Sequence, residues 1–287
     1  METGIPVTLQ PTEVATRARA WTIDKVHRLA TVVTKKTRIG CQGSLVLLFS
    51  LCGLLTGVSL AEDSPLRFRT DIKTGFAFET TDEELQQLYD AAMAKVKDNL
   101  VQFTPSMKVL VEGGGYANAW IETQPMGGEM FARHDVQVAL NNQVVFMLGQ
   151  RDDGRLPGMV IAGDTVIEHG WNKNPREGYV WFPKHHLASS YEMFQGFCFP
   201  QPAWRMYFWA GKDRAYLRQL YAALEAHDAY LWRTRDSNGD GILETWCVWD
   251  TGEDGSTRLV TRGAPSRWPF EKPPGAPGMP DPRNPEK

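Results

Sequence analysis

The stretch richest in chemically able side chains runs from Arg235 to Arg258 (RDSNGDGILETWCVWDTGEDGSTR). It sets Asp250, Glu253 and Asp254 within five residues of one another, next to Trp246 and Trp249. Flat indoles cover the C–H faces of a sugar, and carboxylates bind its hydroxyls or act on the glycosidic oxygen. Repulsion among the three acids, with desolvation by the indoles, is expected to raise at least one carboxyl pKa. A carboxyl that stays protonated near neutral pH is what a general acid requires. The competing reading is an acidic surface turn, since structural turns also collect Asp and Gly.

The same stretch opens with Asp236-Ser237-Asn238-Gly239-Asp240-Gly241, which places oxygens at positions one, three and five of a calcium loop and Gly at six. Position twelve is Cys247 rather than Glu, so a calcium ion completed by outside ligands stands against an Asx-turn network without metal. No other cofactor is called for. Gly113-Gly114-Gly115 has no Lys or Ser/Thr in phosphate-loop register, and the adjacent His185 and His186 point apart, as surface or capping residues do. Gly-Xaa-Ser-Xaa-Gly, His-Glu-Xaa-Xaa-His and paired Cys-Xaa-Xaa-Cys are missing, which removes serine-hydrolase and zinc chemistry.

Trp249-Asp250-Thr251-Gly252-Glu253-Asp254-Gly255-Ser256-Thr257-Arg258 resembles the Glu-Ser-Gly-Xaa-Asp-Xaa-Ser-Xaa-Arg segment of trehalases and glycoside hydrolase family 63. Asp250 stands where that family has Glu, and Gly255 where it has Asn or an aromatic residue. Gly149 to Gly158 (GQRDDGRLPG) is similar to a turn after an inner-ring helix of six-hairpin glycosidases, and Trp120-Ile121-Glu122-Thr123-Gln124 to their sugar-binding Trp-Asp pair. The resemblance covers roughly residues 80 to 260. It implies an all-α fold, a partial (α/α)6 toroid of helical hairpins with a short β preface. It also implies Asp254 as the proton donor, with Trp249, Asp250 and Arg258 holding its loop or the sugar, and Trp120, Glu122 and Gln124 lining the opposite wall. For each of these last three, a loop Trp packed in the core beside a solvated acid is the plain alternative.

Inverting hydrolysis needs a second carboxylate about 6.5 to 9.5 Å away. In the family it is a Glu from the carboxyl-terminal half of the ring. With four helices legible rather than twelve, the chain reads as an amino-terminal portion of a glycosidase lacking the general base; Glu122, Glu129 and Glu253 are substitutes by residue type alone. The expected function is hydrolysis of alpha-linked glucosides or related glycans, with carbohydrate as the partner. The alternative is a non-catalytic glycan-binding module, and a third option is an anchored structural protein.

The elements that must position these residues follow from periodicity. Thr80 and Thr81 precede Glu83 and Glu84 as in a capping box, and Leu85, Leu88, Ala92, Val96 and Leu100 mark an amphipathic helix ending near Phe103. A second helix is expected from Gly128 to Gln150. A third, buried and kinked at Pro200 and Pro202, is expected from Leu187 to Ala210, and a fourth from Asp213 to Trp232 with Leu217, Leu220, Tyr221, Leu224 and Tyr230 on one face. Residues 62–79 suggest a short β segment, 80–263 the helical domain, and 264–287 an extended strap or ragged end, since Pro265 to Lys287 contain eight prolines.

The 287 residues carry 31 basic and 34 acidic side chains, which gives no reason to expect a nucleic-acid partner. Residues 1–61 hold seven basic and three acidic residues, a net of +4, which against the total of −3 leaves residues 62–287 at −7. Lys35, Lys36 and Arg38 precede the uncharged run Gly43 to Leu60, and Ser59-Leu60-Ala61 suits a signal peptidase, so 1–61 reads as a leader with a secretory signal. Residues 1–34 are then an extended basic leader or the product of a start codon set too far upstream. Export is the expectation, with anchoring by residues 43–60 as the alternative if the signal stays uncleaved. Cys41 and Cys52 fall in the leader, and Leu51 is too large for lipid attachment at Cys52; Cys198 and Cys247 remain as one disulfide or two buried thiols. Cleavage after Ala61 predicts that the exported chain begins at Glu62, which amino-terminal sequencing of the secreted protein checks; a chain beginning at Met1 overturns it.

Overall fold

A computed structural model describes residues 76–174, 176–253 and 255–282, with nothing described of the Phe197 side chain. The leader, its signal, Cys41, Cys52 and most of the expected β segment at 62–79 lie outside the described residues, as does Asp254.

The fold is mixed α and β, which corrects the expectation of an all-α partial toroid. The elements are α1 (Glu83–Asp98), β1 (Leu100–Thr104), β2 (Met107–Leu110), β3 (Ala119–Trp120), α2 (Gln124–Phe131), α3 (Val136–Leu148), β4 (Met159–Ala162), α4 (Gly163–Glu168), β5 (Tyr179–Phe182), β6 (Leu187–Ser190), α5 (Pro200–Trp209), α6 (Arg214–Thr234) and the short α7 (Thr257–Val260). β1 and β2 form an antiparallel hairpin, and β3-β4-β6-β5 a four-stranded antiparallel sheet. The sheet is not legible from periodicity because its two central strands, β4 (MVIA) and β6 (LASS), are buried on both faces and neither shows the polar alternation that marks a strand.

Each helix boundary that moved has a local cause. Asp82, not a threonine, caps α1 by accepting the Leu85 N–H at 3.1 Å. The helix stops at Asp98, and Phe103 lies in β1. No α1 residue is buried, and Leu85 and Leu88 face solvent. The expected second helix is two helices, because Asp135 caps a new one through the Val138 N–H at 3.0 Å. In the third stretch, Leu187–Ser190 is strand and the helix begins at Pro200, where a residue without an N–H forfeits no hydrogen bond. α6 lies within two residues of the expected span at each end, and Asp213 is its cap rather than its first residue. Its inward face is Tyr216, Leu220, Ala223, His227 and Tyr230, with Tyr221 turned outward.

The main core gathers α3, α5, α6 and one face of the sheet, including Leu140, Phe146, Phe199, Met206 and Leu220. α3 is nearly all buried, and its thin polar face is used up inside. Asn142 accepts from the Leu110 N–H at 2.9 Å and donates to the Leu110 carbonyl at 2.8 Å, Asn141 donates to Lys108 O, and Gln143 to Pro125 O. These amides satisfy the hairpin edge and the α2 backbone, groups that would otherwise be buried unpaired.

The turn after α3 is clamped to α6. Gln150 donates to the Gly154 and Ala223 carbonyls at 2.8 Å each. Gly154 has φ +95°, and a Cβ there would lie 2.1 Å from the Ala226 carbonyl oxygen, so only glycine fits. Leu156 N–H donates to His227 Nδ1 at 3.2 Å, and burial pushes the His227 pKa down from 6.5 to about 4. The unfolded chain therefore takes up the proton first. Stability from the neutral ring is complete above about pH 6.5 and is lost as the pH falls toward about 4, a difference of roughly 3 kcal/mol. His227→Gln keeps an acceptor for Leu156 but cannot titrate. Its urea midpoint is expected to fall less between pH 6.5 and 4.5 than that of the unaltered chain, and equal losses would refute the assignment.

Candidate functional site

The four-stranded sheet has two unlike faces, as strand alternation requires. Ala119, Val160, Ala162, Leu187 and Phe182 point into the main core. On the other face the register aligns Trp120 with Met159, Met159 with Ser190, and Ser190 with Tyr179. Ile161, Ala188 and Trp181 form the next row. This face floors a cleft of about 220 Å³ whose walls are Trp171, Arg176, Glu192, Trp249 and Arg267.

The aromatic lining is dense. Trp120, Trp171, Tyr179 and Trp181 pack against Met159, Ile161 and Ala188, while Trp120 and Trp249 also pack against Met193, Trp246, Cys247 and Trp268. The Trp120 indole Nε1 is buried with no hydrogen-bond partner among the described residues. Arg176 lays its guanidinium over Trp171 and Tyr179, 5.6 and 5.0 Å from the ring centroids. Glu192 is 4% exposed, so its carboxylate needs partners. Arg267 supplies one at 2.8 Å, and burial together with Glu192 raises the Tyr179 phenol pKa.

The sequence-predicted residues divide into those brought to this cleft and those used elsewhere. Trp120 and Trp249 both line it. Glu122 comes against the acid loop from the strand side. A Cβ on Gly252, whose φ is +70°, would lie 2.2 Å from Glu122 Oε2. Gln124 is buried, and its side-chain oxygen accepts from the Trp120 N–H, which makes it a support of the wall. Asp250 is also buried. It pairs with the fully buried Arg235 at 2.7 Å and accepts the N–H groups of Trp246 at 2.8 Å, Cys247 at 3.3 Å and Phe194. Arg235 lies 4.0 Å from the Trp246 ring centroid and 5.4 Å from that of Phe194, so these rings face a cation whose Nε and Nη2 make no hydrogen bond among the described residues.

Two arginines thus change the expected mutual repulsion in the acid loop. Arg235 neutralises Asp250, and the Arg258 guanidinium in contact with Glu253 holds that exposed carboxyl below the usual range. Among the substitute bases, Glu129 accepts from the Trp209 indole at 3.3 Å and lies 3.6 Å from Arg205. Both Cys198 and Cys247 are free thiols. Burial raises the Cys198 pKa, with Glu122 adding to it.

The calcium-like loop is closed by its own oxygens. Asp236 accepts from Gly241 N–H at 3.1 Å, Asn238 from Asp240 N–H at 3.0 Å and Asp240 from Ile242 N–H at 2.9 Å. Among the described residues no group of three or more His, Cys, Asp or Glu is placed to hold a metal. No described helix is long and apolar enough to cross a membrane.

Glu192, Trp171, Arg176, Tyr179 and Arg267 were passed over in the sequence. The available signal was Tyr179-Val-Trp181, an aromatic alternation with the period of a strand, and Glu192, which follows Ser190 at the same period. The strap holds the site together. Val248 and Trp249 donate their N–H groups to the carbonyls of Pro265 and Ser266 at 2.9 and 3.0 Å, and Trp268 donates to Glu192 O at 2.7 Å.

The family described as "Mannosylglycerate hydrolase MGH1-like glycoside hydrolase domain" matches residues 129–277, just over half of the chain. The match includes Glu192, the acid loop and Arg267, while Trp120, Glu122 and Gln124 precede it. No curated protein matches.

Removing one partner of a fully buried ion pair strands the other charge. Asp250→Asn and Arg235→Met are each expected to cost about 3 to 5 kcal/mol, read as a lower urea midpoint. The double variant Arg235→Met/Asp250→Asn is expected to lose less than the sum. Additive losses would show that the pair does not act as a unit.

Proposed function

Because the chain belongs to the MGH1-like glycoside hydrolase family, we propose that it hydrolyses an alpha-linked glucoside or related glycan held in the cleft between Trp120 and Trp249. The observation that carries this reading is the convergence of Trp120, Trp171, Tyr179 and Trp249, from separate parts of the chain, around the buried Glu192 carboxylate. Aromatic walls with a few fixed polar groups are how a protein orients a sugar ring. Asp254 is the proposed proton donor to the departing oxygen, on the likeness of its segment to that of trehalases and glycoside hydrolase family 63. Glu122, which reaches Gly252, and Glu192 would accept hydrogen bonds from sugar hydroxyls. The Trp120 indole N–H, which lacks a partner among the described residues, would donate one. Arg258 would act at a distance by holding Glu253, and with it the loop. The leader's charge pattern supports export of this activity.

A second reading has one observation in its favour: of the loop's three acids, Asp250 is spent in a buried pair and Glu253 is held by Arg258. A glycan-binding module would need no more than the aromatic cleft. Asp254→Asn separates the two, assayed on nitrophenyl alpha-glucosides and alpha-mannosides. For a hydrolase, turnover is expected to fall about 10²- to 10⁴-fold with sugar binding retained. An unaltered chain that binds these glycosides and turns over none of them supports the module.

A further inference from the structure

We infer that the site is built for an extended, uncharged oligosaccharide, with one ring in the Trp120–Trp249 cleft and the next in a second cavity formed by the proline-rich strap; this rests on the glycan reading above. The second cavity holds about 320 Å³ and shares Arg176, Glu192 and Arg267 with the first, so the two are one groove divided by three side chains. Ordinary small-ligand sites run from about 300 to 1,000 Å³, and only the two cavities together fall well inside that range.

The far wall is chemically suited to a sugar. Trp268, Pro269, Phe270 and Pro280 give it an apolar surface, and Glu177 and Asp281 give it acceptors. The charges leave an excess of one negative, which selects the ligand class. Two guanidinium groups face three carboxylates across this cavity, and Arg267 already pairs with Glu192 at 2.8 Å. A small anionic leaving group therefore meets more repulsion than attraction. A neutral polyol can use the donors and the acceptors alike. Arg267 is placed to serve both rings: its side chain is 48% exposed and makes a single ion pair among the described residues.

Binding to the full chain is measured by calorimetry with methyl alpha-glucoside, maltose and maltotriose, and with methyl alpha-mannoside and alpha-linked mannobiose. The expected result is that a second ring tightens binding about tenfold over the methyl glycoside in at least one series. Glu177→Trp, at an exposed position that lines only the second cavity, is expected to abolish that gain and leave methyl glycoside binding within about twofold. A methyl glycoside that binds while its disaccharide gains less than twofold overturns the second subsite and leaves the hydrolase reading standing. So does tighter binding of alpha-mannosylglycerate than of every neutral disaccharide. Failure of all these sugars to bind overturns both.

Discussion

The ion pair between Arg235 and Asp250 is the constraint on which the site's arrangement depends. Both side chains are fully buried, and such a pair is tolerated only where the remaining donors and lone pairs are satisfied. Here the backbone of two separate segments satisfies the carboxylate, while the guanidinium's remaining donors, Nε and Nη2, have no hydrogen-bond partner among the described residues and lie against aromatic rings. Asp250 gathers N–H groups from Phe194, beyond β6, and from Trp246 and Cys247 in its own loop. Arg235, at the end of α6, is faced by Trp246 and Phe194. The pair therefore fixes where Trp249 and Gly252 stand relative to the sheet, and with them the distance between the aromatic walls. Its contribution is positional more than energetic, since a pair of this kind offsets little beyond its own desolvation.

The sheet supplies the other half of the geometry. Because strand side chains alternate, the row Trp120, Met159, Ser190 and Tyr179 turns to the cleft while its neighbours close the core. One alternating surface thus serves folding and binding at once. Glu192 extends the same alternation past the end of β6, which delivers a carboxylate to the cleft from a rigid element.

What could be read from the amino acids follows from the range of the forces involved. The span of α6 is legible because the spacing of its apolar residues is local. The Trp120 and Trp249 pair was legible because indoles beside acids suggest a sugar wherever they occur. The all-α reading failed at β4 and β6, where burial on both faces erases the polar alternation that marks a strand. Holding its loop or the sugar are the two roles the sequence leaves open for Asp250, and it cannot choose between them because Arg235, fifteen residues away and folded back onto the carboxylate, is not visible as its partner. Glu192 was missed for the same reason, since its partner Arg267 lies 75 residues on. Long-range pairing is set by tertiary structure, and composition near a residue carries no record of it.

The strap's ties have a consequence for how the molecule assembles. Glu271 meets Arg155 and Arg151 across 116 and 120 residues of chain, and Arg267 closes on Glu192 across 75. Contacts between such distant positions exact their chain-entropy cost before they return any stabilisation, so they form late and release early. Helical hairpin and amide-stitched core can be in place while the groove still lacks a side. The groove wall built by the strap would then be the last part of the fold to close.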